Sequence, residues 1–197
     1  MINYQIINAG LIEGSLGFQY KEPHKIFSRL YKDHKYKFLL ESKDISHIYG
    51  RLSLIGIDPV LKITGKNDKF CIEDLNERGE FYLKQFNNRD FKICDDIKIS
   101  KGKIGGTVKA LTDTFEETER SKRKNIVQVI RVILKKFAVE RKSFLGLYGG
   151  FSYDLVRLFE DIGENNAKNE IDDFTLFLYD TFIFFDHLKQ TNEIIAY

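Results

Sequence analysis

A carboxylate and a hydroxyl stand side by side after a short apolar run of the chain. Glu41 and Ser42 directly follow Phe38, Leu39 and Leu40. Glu41 can accept a hydrogen bond from an ammonium group, Ser42 can donate one to a carboxylate, and apolar neighbours can enclose a side chain. The pair could therefore recognise a small zwitterion such as an amino acid. On residue types alone, however, two polar residues that end a strand are the simpler interpretation.

Two glycines, Gly149 and Gly150, stand between a predicted strand and a predicted helix. Their spacing matches neither GxGxxG nor GxxxxGK[ST], so tight backbone packing at a turn is favoured over a phosphate site. A nucleophile elbow would need a glycine where the chain has Asp154. We therefore interpret Ser152 as a helix cap and His187 as a turn residue, not as members of a catalytic triad with Asp154.

Asp154 and Arg157 are three residues apart on the same predicted helix. They can pair with each other, or each can reach a neighbouring element at a domain interface. The sequence leaves both possibilities open.

The composition is that of an ordinary globular protein. Hydrophobic residues make up 43% and charged residues 30% of the 197 residues, which is enough to bury a core and argues against disorder. The net charge is only +2, and the most basic stretch, residues 120–124, directly follows the acidic residues 116–119. We therefore expect a solvated helix start there and no nucleic-acid partner.

Neither the cysteines nor the histidines have the spacing of a metal site. Cys71 and Cys94 lie apart and the 4 histidines are isolated, so we expect free thiols and no bound zinc. The N-terminus lacks the pattern of a signal peptide, and no apolar run is long enough to span a membrane. These features predict a cytoplasmic protein without a membrane partner.

Hydrophobic periodicity predicts amphipathic helices. One is expected over residues 22–33 with Pro23 in its first turn, a second over residues 125–138, and a short third over residues 152–160. The second helix has an apolar stripe at spacings of four and three residues, which we assign to the core. The stripe consists of Ile126, Ile130, Ile133 and Phe137, with Val127 and Leu134 beside it.

Strands are expected in apolar or alternating runs that turn residues separate. The runs cover residues 36–40, 52–57, 60–64, 69–72, 143–148, 174–179, 182–185 and 193–197. Residues 65–68 are interpreted as a hairpin turn and most of residues 87–107 as a surface excursion. Together the patterns predict an α+β fold with antiparallel sheets and packed helices, in a single domain over residues 1–197.

Four segments resemble anthranilate synthase component I in order and in approximate spacing. They are residues 38–42 (Phe-Leu-Leu-Glu-Ser), 50–59, 149–160, and 179–181 with 185–190. The resemblance extends from about residue 20 to the end and implies the N-terminal domain of that family. Because the chain stops inside a predicted strand at Tyr197, we expect it to be the first part of a larger protein.

The resemblance implies chemistry that is performed elsewhere. In the family, a C-terminal chorismate-utilising domain converts chorismate to anthranilate and pyruvate, with Mg²⁺ as cofactor and with ammonia from a glutamine amidotransferase subunit. The residues that bind chorismate and magnesium belong to that domain. We therefore expect no catalytic residue, cofactor or metal within this chain and no activity of the chain alone.

The resemblance also implies part of a feedback site for L-tryptophan. It assigns Leu40, Glu41 and Ser42 to that site, and Leu52 at a position where the family often has tyrosine or lysine. Two alternatives remain. One is the N-terminal domain of aminodeoxychorismate synthase component I, and the other is a stand-alone amino-acid-binding or scaffold domain.

Overall fold

The computed structural model describes residues 2–8, 11–30, 34–42, 50–109, 124–137, 143–160 and 170–197. These residues form two six-stranded antiparallel sheets with a few helices, so the predicted α+β class is confirmed. The chain divides into two compact units. Unit 1 comprises residues 1–59, 139–146 and 179–197, and unit 2 comprises residues 60–138 and 147–178.

The sheet of unit 1 contains an N-terminal hairpin that the sequence patterns did not predict. Its strands follow the order β1 (Ile2–Asn8), β2 (Leu11–Gln19), β12 (Thr191–Ala196), β11 (Thr181–Asp186), β4 (Leu52–Ile57) and β3 (Lys37–Leu40). Gly14 and Gly17 interrupt the alternation of β2, which hides the strand signal. Strand β12 pairs with β11 on one side and with β2 on the other, so it lies inside the sheet.

Helix α1 (Pro23–Arg29) packs on this sheet. Pro23 occupies its first turn as predicted. The helix is shorter than the predicted span of residues 22–33: Leu30 is its C-cap, and residues 31–33 lie outside the described part. Its apolar face contacts a core cluster of the sheet. That contact joins Ile26, Phe27 and Leu30 to Ile55, Ile183 and Phe185.

The β3–β4 ladder has a fixed register because an aromatic ring covers a glycine. Lys37 pairs with Ile57 and Leu40 with Leu54. A Cβ atom at Gly56 would overlap the Phe38 ring, so only glycine leaves room for that ring over β4. A one-residue slip would remove this fit and turn the side chains to the opposite face.

The sheet of unit 2 contains the hairpin predicted around residues 65–68. Its strands follow the order β7 (Asp96–Ser100), β8 (Lys103–Thr107), β6 (Lys69–Asp74), β5 (Leu61–Lys66), β10 (Phe174–Tyr179) and β9 (Gly146–Phe151). Asn67 supplies the left-handed turn conformation with φ +55°. Asp58, with φ +47°, and Pro59 separate β4 from β5, and these two strands belong to different sheets.

The prediction that most of residues 87–107 form a surface excursion missed a hairpin. These residues include the β7–β8 hairpin, and Phe91 and Ile104 are buried. Turn residues around the alternating Asp96–Ser100 segment masked its strand pattern. Helix α2 (Glu77–Lys84) was not predicted either. The Asn76 side chain caps it by accepting from the Gly79 N–H at 3.0 Å.

Helix α3 (Gln128–Lys136) confirms the predicted core stripe. It begins later than residue 125 because the Asn125 side chain accepts from the Val127 N–H at 3.0 Å and forms a turn. The predicted end at residue 138 lies outside the described part. All four stripe residues are buried, whereas Leu134 is 47% exposed.

The predicted glycine turn is wrong. Strand β9 runs through Gly149 and Gly150 to Phe151, three residues beyond the predicted end at residue 148. The following segment is a 3₁₀ helix (Tyr153–Leu158), and the Ser152 side chain makes no capping hydrogen bond. Asp154 and Arg157 form a local pair at 3.4 Å, as one of the two interpretations expected.

Candidate functional site

The register of β3 and β4 brings the four predicted site residues to one end of this ladder. The last ladder pair is Leu40 with Leu54. Glu41 and Ser42 continue beyond β3, and Leu52 begins β4 on the neighbouring strand. The candidate site therefore consists of residues 40–42 on one strand end and Leu52 on the other.

This end of the ladder is open. Leu40 is 55% exposed and Leu52 is 45% exposed, and Glu41 and Ser42 are also exposed. Leu40 and Leu52 are diagonal neighbours on one face of the two strands, because Leu52 lies two residues from the partner of Leu40. The site presents two apolar side chains beside a carboxylate and a hydroxyl.

A side chain of β4 holds the backbone of the site. The Ser42 N–H donates to the Ser53 hydroxyl at 3.4 Å. Ser53 is buried, at 2% exposure, directly next to the exposed Leu52. The polar interaction at the end of the ladder is thus screened from water, whereas the candidate ligand-binding surface faces it.

Sequence reasoning did not predict the role of His187. It lies in the turn after β11, as expected, but its ring joins two distant hydrogen-bond partners. Its Nε2 atom lies 2.8 Å from the Ser53 hydroxyl, and its Nδ1 atom lies 2.8 Å from the Tyr20 hydroxyl. The residues Tyr20, His187, Ser53 and Ser42 form a continuous hydrogen-bonded set, which we call the His187 network.

An ion pair beside the His187 network joins Arg51, the residue before β4, to Asp186, the last residue of β11. Arg51 Nη2 donates to the Asp186 carboxylate at 2.7 Å, and the His187 N–H donates to the Arg51 carbonyl at 2.8 Å. Asp186 also accepts the N–H groups of Leu188 and Lys189. The hydrogen bond from Arg51, with those of the two amides, lowers the pKa of the Asp186 carboxyl to about 2.

Tyr20 links the network to the charge of the candidate site. Burial is the largest cause that raises the pKa of its hydroxyl, and the carboxylates of Glu22 and Glu41 add to it. Tyr20 also borders a cavity of about 330 Å³. The other residues lining this cavity are Lys21, Glu22, Lys25, Ile26, Arg29 and Gln190.

The hydrogen bonds of the His187 ring do not support a catalytic triad with Ser152 and Asp154. Both ring nitrogens of His187 lie at hydrogen-bond distance from other side chains, Tyr20 and Ser53. In the described part of the chain, no three His, Cys, Asp or Glu side chains are grouped to hold a metal ion. None of its helices has the length and apolar character needed to cross a membrane.

Comparison with curated proteins finds relatives that carry one name. No family model matches the chain. Component 1 of Vibrio cholerae anthranilate synthase is 27% identical over 180 residues, which cover 89% of this chain and 34% of that protein. The chain resembles anthranilate synthase component 1. The same component of Escherichia coli is 27% identical over 178 residues, which cover 88% of this chain and 34% of that protein.

A third relative extends the pattern. Anthranilate synthase component 1 of Buchnera aphidicola from Baizongia pistaciae is 28% identical over 179 residues, covering 86% of this chain and 33% of that protein. The resemblance indicated by the motifs is thereby confirmed. The chain spans about a third of the length of these anthranilate synthase components.

Proposed function

We propose that this chain is the N-terminal part of an anthranilate synthase large subunit in tryptophan biosynthesis, and that it contributes to a feedback site for L-tryptophan. The proposed site residues are Leu40, Glu41, Ser42 and Leu52. The observation that carries the proposal is the β3–β4 register, which brings residues 40–42 and Leu52, from two neighbouring strands, to one open end of the ladder.

The chemistry of these side chains suits an amino acid with a large apolar side chain. The Glu41 carboxylate can accept from the ligand ammonium group, and the Ser42 hydroxyl can donate to the ligand carboxylate. Leu40 and Leu52 offer exposed apolar surface beside them. An indole ring against this surface would remove apolar area from water, which is favourable.

The openness of the site supports a shared pocket. Ligand pockets usually bury most of the ligand surface, whereas these residues face solvent. We therefore assign the remaining walls to the C-terminal chorismate-utilising domain of the complete enzyme. That domain would convert chorismate to anthranilate and pyruvate with Mg²⁺, using ammonia from a glutamine amidotransferase subunit.

Aminodeoxychorismate synthase is not favoured as the alternative. The relatives reported above are all named anthranilate synthase component 1. No feature of residues 40–42 distinguishes a stand-alone amino-acid sensor either.

A titration of the chain with L-tryptophan, followed by NMR, tests the proposal. We expect weak binding with shifts centred on residues 40–42 and 52, and tighter binding when the catalytic domain of a related anthranilate synthase is supplied. Glu41→Gln should weaken binding about tenfold, because it removes a charge-assisted hydrogen bond. Glu170→Gln, an exposed position in unit 2, is the matched control.

Two results would contradict the proposal. One is the absence of any shift at residues 40–42 with millimolar L-tryptophan and the catalytic domain present. The other is equal binding of D-tryptophan, since the ammonium and carboxylate contacts require one hand of the ligand.

A further inference from the structure

We propose that His187 is a positioning residue that holds the Ser42 end of the candidate site through Ser53. The inference rests on the proposed function, because it assigns the role to L-tryptophan binding. It concerns three residues outside the predicted site: Tyr20, Ser53 and His187.

Ser42 lies just beyond the end of the β3–β4 ladder. Beyond the pair Leu40 and Leu54, the backbone of residues 41–42 has left strand β3. At that point the Ser42 N–H donates to a side chain, the Ser53 hydroxyl. The direction of that hydroxyl therefore affects where the Ser42 backbone, and with it the Ser42 side chain, is held.

His187 sets the orientation of the Ser53 hydroxyl. A hydroxyl has one proton and two lone pairs. If the Ser53 proton points to His187 Nε2, 2.8 Å away, a lone pair is left for the Ser42 N–H. Because Ser53 is 2% exposed, water has little access to compete for either position. The imidazole thus selects the hydroxyl orientation that accepts from Ser42.

Tyr20 in turn orients the His187 imidazole. The tautomer with its proton on Nδ1 donates to the Tyr20 hydroxyl and leaves Nε2 as the acceptor for Ser53. The Gln190 side chain donates to the His187 carbonyl at 2.7 Å. The backbone of His187 is fixed to the Arg51 carbonyl. Ring and backbone are therefore both held on the β4 side of the site.

The Ser42 to Ser53 distance of 3.4 Å is long for a hydrogen bond, so the expected effects are moderate. We expect His187→Phe, which keeps a ring but removes both ring hydrogen bonds, to weaken L-tryptophan binding about fivefold. His187→Gln keeps a polar group near the Nε2 position and should retain most of the affinity. Ser53→Ala should resemble His187→Phe, and Tyr20→Phe should have a smaller effect.

Two readouts separate positioning from a general loss of structure. The first is binding of tryptamine, which lacks the carboxylate that Ser42 would contact. His187→Phe should weaken L-tryptophan binding and leave tryptamine binding unchanged. The second is the solvent-exchange rate of the Ser42 amide proton, measured by NMR without ligand. It should rise a few fold in Ser53→Ala and in His187→Phe.

The outcomes distinguish this inference from the proposed function. If the Ser42 amide exchanges at the wild-type rate in both variants, the inference is overturned even when the wild-type chain binds L-tryptophan. An equal loss of L-tryptophan and tryptamine affinity also overturns it. If exchange rises but the wild-type chain with a catalytic domain binds no L-tryptophan, the proposed function fails and the positioning role toward that ligand fails with it.

Discussion

The carbonyl oxygen of Thr175 occupies the space where a side chain at Gly149 would begin. Strands β9 and β10 are neighbours in the sheet of unit 2. The obstructing oxygen belongs to the backbone, so no side-chain rotation can move it away. The next residue, Gly150, has no heavy atom within 4 Å of the corresponding position. Two adjacent glycines in one strand thus have different structural requirements.

We expect Gly149→Ala to lower the free energy of unfolding by about 2 to 3 kcal/mol, because the added methyl group forces β9 away from β10. Gly150→Ala should change it by no more than about 0.5 kcal/mol. Urea denaturation of both variants checks the prediction. Equal effects of the two substitutions would show that the close approach of the Thr175 carbonyl to residue 149 does not destabilise the alanine variant.

The Asp186 carboxylate should make the free energy of unfolding depend on pH below about pH 4. Its pKa of about 2 in the folded chain lies below the value of about 3.9 expected in the unfolded chain, so the unfolded chain takes up this proton first. The stabilisation is present above about pH 4 and is lost as the pH falls toward 2. We expect a loss of about 1 to 2 kcal/mol, less than the full shift implies, since Arg51 is partly exposed.

Unfolding curves of wild type and Asp186→Asn between pH 2 and 7 test this dependence. The variant should be less stable at pH 7 and should lack this part of the acid response. Asp154→Asn is the control, because its partner Arg157 lies at 3.4 Å on a surface helix. Parallel pH curves for wild type and Asp186→Asn would contradict the assignment.

Cys94 should react slowly with alkylating reagents. Burial raises the pKa of its thiol to about 11, although the neighbouring Lys124 opposes the shift. Only the thiolate reacts, so at pH 8 alkylation by iodoacetamide should be about two orders of magnitude slower than in the unfolded chain. Mass spectrometry of native protein and of protein in guanidinium chloride measures both rates. Rapid labelling of native Cys94 would contradict the raised pKa of its thiol.

Local patterns predicted those parts of the fold whose signals lie close together in the sequence. The α3 stripe of Ile126, Ile130, Ile133 and Phe137 is buried as its spacing indicated. Pro23 begins α1, and the Asp58–Pro59 break separates two strands. Of the predicted site, residues 40–42 and Leu52 lie at one ladder end, while ligand binding itself stays a prediction.

Long-range pairing could not be predicted from local patterns. The His187 partners, Ser53 and Tyr20, lie 134 and 167 residues away in the sequence. A histidine in a turn has no local feature that names such partners. The glycines at 149 and 150 gave a misleading signal because a glycine in a turn cannot be told in the sequence from a glycine within a strand.

The position of β12 between β11 and β2 affects the order in which the protein can fold during translation. Gly14 to Gln19 pair with residues 191–196, so β2 lacks this partner until residues 191–196 have left the ribosome. The segments of unit 2 are synthesised before then. We therefore expect unit 2 to fold first, while β2 presents an unpaired edge that chaperones could bind until its last neighbour arrives.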